Sequence, residues 1–159
     1  MNYLTILALR VPLILLILGA VLGQTVIIPA VAAEEAVRWP EVAHLAVPYA
    51  ILVIAAVVCV ELALLAVWML LTMVQRGAIF TESAFRWVDV VIYAALVATA
   101  LTIAVPAHLL GTVGVGGPGV VLFLGAAAIG GVAFVLLMLV MRGLLRTATT
   151  LESELAEVV

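Results

Sequence analysis

The chain has 159 residues, 69% of them hydrophobic and 9% charged, with a mean hydropathy of +1.48 and a formal net charge of −3. A soluble domain is nearer half apolar and a quarter charged, so this chain lacks the polar groups to cover itself in water, and its solvent is lipid. No basic patch of nucleic-acid type is present, which excludes direct nucleic-acid binding as an expectation, and a lone Cys59 inside an apolar run excludes an internal disulfide.

Four apolar segments are expected as spans, over about 4–33, 47–74, 87–110 and 119–141, followed by a tail over 142–159. The expected fold is therefore all-α, a single integral membrane domain built as a four-helix transmembrane bundle. The first span could be read as a secretory signal, because Ala30-Val31-Ala32 is a small-x-small cleavage pattern. Its apolar run is too long for that and it lacks a short basic leader, so a retained span is the expectation. Gly19 and Gly23 form a GxxxG step on this helix that permits close helix approach.

A short acidic loop is expected from Glu34 to about Ala46, with Trp39 as an interfacial aromatic. The second span carries Pro48 in its first turn, where the missing N–H does no harm, and Glu61 near its centre.

The longest polar break in the middle of the chain runs from Gln75 to Asp89. Gly77 can close the second helix, Thr81 can cap the third, and Glu82 places negative charge on its first turn. Phe80 and Phe85 fall at hydrophobic-staple positions. Arg86 and Asp89, three apart, are expected to pair on one helix face. Arg76, Phe80, Thr81, Phe85, Arg86 and Asp89 together make a candidate cytoplasmic interaction segment.

Pro106 is expected to kink the end of the third span. The uncharged, glycine-rich stretch from Gly111 to Gly119 reads as a tight outer turn, with Pro118 starting the fourth helix. It lacks the Lys-Ser/Thr that a phosphate cradle needs. Gly125, Gly130 and Gly131 give the fourth helix a smooth packing face. In the tail, Leu144, Ala148, Leu151, Leu155 and Val158 form a helical stripe, so an amphipathic helix is expected there. It either continues the fourth span or folds back along the membrane.

Four spans put both termini on one side. That side holds Arg10, Arg76, Arg86, Arg142 and Arg146, and the other holds only Arg38. Arginine in short loops stays cytoplasmic, so both termini are expected inside the cell.

Glu61 is the one ionisable side chain deep in a span. A charge at the bilayer centre costs roughly 3 kcal/mol on insertion scales, so this carboxyl must face the bundle or be carried neutral. It lies about 22 Å along its helix from Arg76, at a rise of about 1.5 Å per residue. Matching that height on the other helices brings in Gln24, Thr25, Thr99 and Thr102, and a polar cluster of these with Glu61 is expected. It would act as hydrogen-bonded glue or as a proton or small-cation site. His44, His108 and Glu41 at the outer boundary are too few to be expected as a metal site. No catalytic set and no cofactor are expected.

The stretches from Leu71 to Val90 and from Met141 to Val159 resemble the bacterial four-span membrane proteins grouped as the "domain of unknown function 2975" family. The most specific part is Gly77 to Asp89, an x-Ile-Phe-Thr turn leading into the third helix. That resemblance implies no established activity. It does imply an association with small helix-turn-helix regulators encoded alongside, and hence a membrane sensor or anchor for a cytoplasmic partner. The competing expectations are a homo-oligomeric transporter or channel using Glu61, and an accessory subunit of a larger membrane complex that packs through its glycine faces.

Overall fold

The computed structural model describes residues 3–75, 82–114 and 116–157. Among them there are five α-helices and no strand. The helices are α1 (Tyr3–Leu22), α2 (Ile28–Arg38), α3 (Ala46–Gln75), α4 (Glu82–His108) and α5 (Pro118–Glu157). They compose four stretches long and apolar enough to cross a membrane, Ala8–Arg38, Pro40–Gln75, Ser83–Val113 and Pro118–Thr150. An all-α chain with four membrane-length helices is what composition and hydrophobic run lengths imply.

The first stretch is longer and less regular than its sequence suggests. It continues through Glu34 and Glu35 to Arg38, so those charges stand on a helix and not in a loop. Arg38 pairs with both carboxylates at 3.2 and 3.3 Å from one turn away. Trp39 then breaks the helix with an extended backbone, and a 3-10 turn over Pro40–Leu45 leads into α3.

Between α1 and α2 lies a π-helical turn, Gly23–Ile27, in which the Ile28 N–H reaches back five residues to the Gly23 carbonyl. Pro29 accounts for it. Its ring would collide with the carbonyl four residues earlier and it offers no N–H. A widened turn just before it relieves both problems without breaking the helix. Helix α4 carries Pro106 within it, continues to His108 and then passes into a π turn, Leu109–Val113. That turn stops at Gly114, whose φ of +69° is the left-handed conformation glycine adopts without strain.

The helix-packing order follows from side-chain size. The α3–α4 seam is the most extensive, and these two helices bury several small residues beside Leu71, Val91 and Ile92. Ala66 and Ala84 are fully buried, and Ala56, Ala94 and Ala98 nearly so. Alanines let two backbones approach closely, which is how helices associate in lipid. Helix α1 packs on α3 and α5 on α4, with no comparable α1–α5 interface. A groove of about 520 Å³ separates these outer helices. Leu16 and Ala20 of α1 and Phe123 of α5 form its walls, and α3 and α4 its floor. Many large apolar residues point outward, as with Leu122 at 74% and Ile129 at 75% exposure, while Leu13, Leu71, Val91 and Ile92 are buried. In water that skin would collapse; in a bilayer it is the lipid contact.

Helix α5 runs unbroken through Arg142 to Glu157, so the tail extends the fourth span and does not fold back.

Candidate functional site

Polar contacts interrupt the apolar surface at mid-span and at both ends of the described helices.

At mid-span Gln24 Nε2 donates to Glu61 Oε1 at 2.9 Å, joining the first helix to α3. Glu61 therefore faces a neighbouring helix, as its cost in lipid requires. The other expected members do not join it. Thr25 is exposed, and its hydroxyl donates to the Val21 carbonyl of its own helix at 2.7 Å. Thr99 donates to Ala95 O at 2.7 Å and packs against Gly131 of α5. Thr102 lines the groove between the outer helices. Matching heights fixed the level of these threonines but not the direction they face: Glu61 looks toward α1, whereas Thr99 looks toward α5. Gln24 and Thr25 both lie in the π turn, with Gln24 directed at Glu61 and Thr25 exposed. Gln24 Oε1 is buried there with no protein partner among the described residues.

The end of the molecule that carries Arg10, Arg86, Arg142 and Arg146 is built differently. Arg10 of α1 reaches α3, where Nη2 donates to Gln75 Oε1 at 2.9 Å and to Thr72 Oγ1 at 3.4 Å. Its guanidinium carbon stands 5.1 Å from the centre of the Trp68 ring. Trp68, Thr72 and Gln75 are spaced four and three apart, so one α3 face presents all three to the same arginine. That spacing was available in the sequence as a signal for this contact, which pairing by charge alone overlooks.

Across the molecule, Arg142 of α5 meets Asp89 of α4. Nη2 donates to Oδ2 at 3.0 Å, and Nε lies 2.6 Å from Oδ1 as an ion pair without hydrogen-bond alignment. The expected Arg86–Asp89 pair is thus replaced by an interhelical one, because Asp89 turns toward α5 while Arg86 stays exposed. Arg76, Phe80 and Thr81 of the candidate interaction segment lie outside the described residues. Phe85 and Arg86 line a recess with Arg142, Arg146, Thr149 and Thr150.

At the opposite end Tyr49 and His108 tie the start of α3 to the end of α4, with Oη 2.6 Å from Nδ1 and the rings edge-on at 5.9 Å. No group of three or more metal-ligating side chains occurs among the described residues. Of the glycines expected to pack helices, Gly19, Gly23, Gly125 and Gly130 have no neighbour where a side chain would grow. Gly131 does, against Thr99.

The family described as "Protein of unknown function (DUF2975)" matches residues 30–159. The chain belongs to this family. The match runs from the end of the first span to the C-terminus, and so takes in the α3–α4 seam, the Asp89–Arg142 pair and the long α5 of this DUF2975 protein. Gln24 lies before the matched region and Glu61 within it. No curated protein and no solved structure matches the chain.

Proposed function

We propose that this DUF2975 protein is a non-enzymatic regulatory or accessory subunit of a bacterial cytoplasmic membrane, with both termini inside the cell. In this reading it holds a cytoplasmic partner on the ends of α4 and α5. The observation that carries it is the length of α5. Its 40 residues span about 60 Å at about 1.5 Å per residue, twice the roughly 30 Å of a bilayer core. If Arg142 and Asp89 mark the membrane boundary, about four helical turns of α5 stand in water beyond it. A rigid, membrane-anchored helix of that kind presents a fixed surface to a protein partner. The small helix-turn-helix regulators associated with the family are one chemically suitable class, and a larger membrane complex is another. A photo-crosslinking side chain at Thr147 or Ala148, tested in the native cell, is expected to give a discrete protein adduct. The same group at Glu41, at the opposite end, is expected to give none. No adduct from either tail position would remove the proposal.

A second reading is favoured by the Gln24–Glu61 pair. A carboxyl–amide pair at mid-span, with Gln24 Oε1 buried and without a partner among the described residues, is suited to a proton or small cation shared between the two side chains. A neutral Glu61 would be matched by turning the Gln24 amide over, which a carboxylate would not tolerate. In liposomes loaded with a pH-sensitive dye, this reading predicts proton entry with the native protein and none with Glu61→Gln. Absence of entry with the native protein ends it.

A further inference from the structure

The recess between the ends of α4 and α5 has a chemistry that neither reading uses. It encloses about 520 Å³ and is lined by Phe85, Arg86, Arg142, Arg146, Thr149 and Thr150. Arg142, Arg146, Thr149 and Thr150 follow a four-, seven- and eight-residue spacing, so α5 turns one polar face into it. Helix α4 contributes Phe85 and Arg86 from the other side. Of the three guanidinium groups, only Arg142 has a carboxylate partner among the described residues, Asp89, and that pair clamps the two helices together. Arg86 and Arg146 are exposed and have no ion-pair partner among the described residues.

Guanidinium groups present a planar fork of N–H donors that matches a phosphate group. The Thr149 and Thr150 hydroxyls donate to carbonyls of their own helix, which leaves the arginines as the anion donors of the recess. The surroundings decide what carries the phosphate. One turn further along both helices the surface turns apolar, with Val90 on α4, four residues from Arg86, and Leu139 on α5, three and seven residues before Arg142 and Arg146, both exposed. A phosphate in the recess would thus sit at the edge of the apolar skin, with Phe85 among the residues that line it. That is the arrangement of an anionic lipid, head in the arginine cradle and acyl chains along α4 and α5.

We propose that this recess is a binding site for the phosphate headgroup of an anionic membrane lipid, held by Arg86 and Arg146 and positioned by the Arg142–Asp89 clamp. The shared chemistry would also suit a soluble phosphate; the adjoining apolar surface favours the lipid. The site does not depend on a cytoplasmic protein partner, nor on which membrane face is inside.

Native mass spectrometry of the full-length protein in detergent tests it, with phosphatidylglycerol and phosphatidylcholine of matched chains added in equal amounts. The native protein is expected to retain phosphatidylglycerol with roughly a thirty-fold preference, the size two arginines near an anionic surface should confer. The Arg86→Gln/Arg146→Gln double variant leaves the Asp89 clamp intact and is expected to fall to within about two-fold of no preference, whereas Arg38→Gln at the other end keeps the native preference. Circular dichroism and elution volume identical to native confirm that the double variant is folded. Equal retention of the two lipids by the native protein, or an undiminished preference in the folded double variant, overturns the proposal. Displacement of phosphatidylglycerol by an equal concentration of inorganic phosphate would assign the site to a soluble anion and overturn the lipid assignment. A lipid preference without a crosslinked protein partner leaves this site standing and removes only the partner reading; the reverse result removes only this site.

Discussion

The inner pair of helices and the outer pair are held by different forces. Helices α3 and α4 bury apolar residues, many of them small, with Ala56, Ala66, Ala84, Ala94 and Ala98 beside Val91 and Ile92. Helix α1 is fastened to α3 by Arg10 with Trp68, Thr72 and Gln75, and by Gln24 with Glu61. Helix α5 is fastened to α4 by Asp89–Arg142 and by the close approach of Thr99 to Gly131. Lipid tails are as apolar as leucine, so burying leucines between helices gains little in a bilayer. Helices then adhere where backbones can come close or where polar groups find partners. The inner helices use the first device at their alanines, beside the larger buried Val91 and Ile92. The outer helices, whose exposed faces are rich in leucine and valine, add a few polar fasteners to limited apolar contact, such as Leu13 of α1 against Leu71 of α3.

That contrast can be broken at defined points. Gly131→Leu should have the largest effect, because a side chain there meets Thr99 and forces α5 off α4. Overpacking of this kind costs roughly 1–3 kcal/mol, measurable as a loss of resistance to unfolding by sodium dodecyl sulfate in mixed micelles. Arg142→Ala removes the clamp at the end of the same interface. A charge-assisted bond in a half-exposed setting should cost about 1–2 kcal/mol in that titration, and distances between spin labels on α4 and α5 should broaden at that end only. Glu61→Ala removes the mid-span fastener of α1. Interhelical hydrogen bonds in membranes average about 0.6 kcal/mol, so a small loss is expected, and it should vanish in a Gln24→Ala background. Gly125→Leu should be the mildest, within about 0.5 kcal/mol of native, because its site opens on no neighbour in the chain. A large effect of Gly125→Leu would instead reveal a contact between copies of the chain.

Much of this architecture was legible in the sequence. Run lengths and the scarcity of charge dictate four spans, and Pro118 marks the start of α5 as its position implies. The cost of a mid-span carboxyl implied a partner for Glu61, and counting residues along the helices named Gln24 among the candidates. Counting could not supply azimuth. It therefore gathered Thr25, Thr99 and Thr102 to a site they do not share, and it read Arg86 as the partner of Asp89 when α5 brings Arg142 there. The π turn escaped notice although Pro29 lies within reach of it, because a proline in a span is compatible with a kink, a break or a widened turn. Glycine steps misled for a related reason. A GxxxG pattern shows that close approach is permitted, whereas only the fold shows that Gly131 is where it happens.

The account rests on four crossings with the arginine-rich ends on the inner side. On a Cys59→Ala background, single cysteines at Glu41 and at Thr147 can be treated in intact cells with a membrane-impermeant maleimide. Glu41→Cys should label at once, and Thr147→Cys only after the membrane is permeabilised. Labelling of Thr147→Cys in intact cells with protection of Glu41→Cys would reverse the orientation, and equal labelling of both would contradict the four-span arrangement itself.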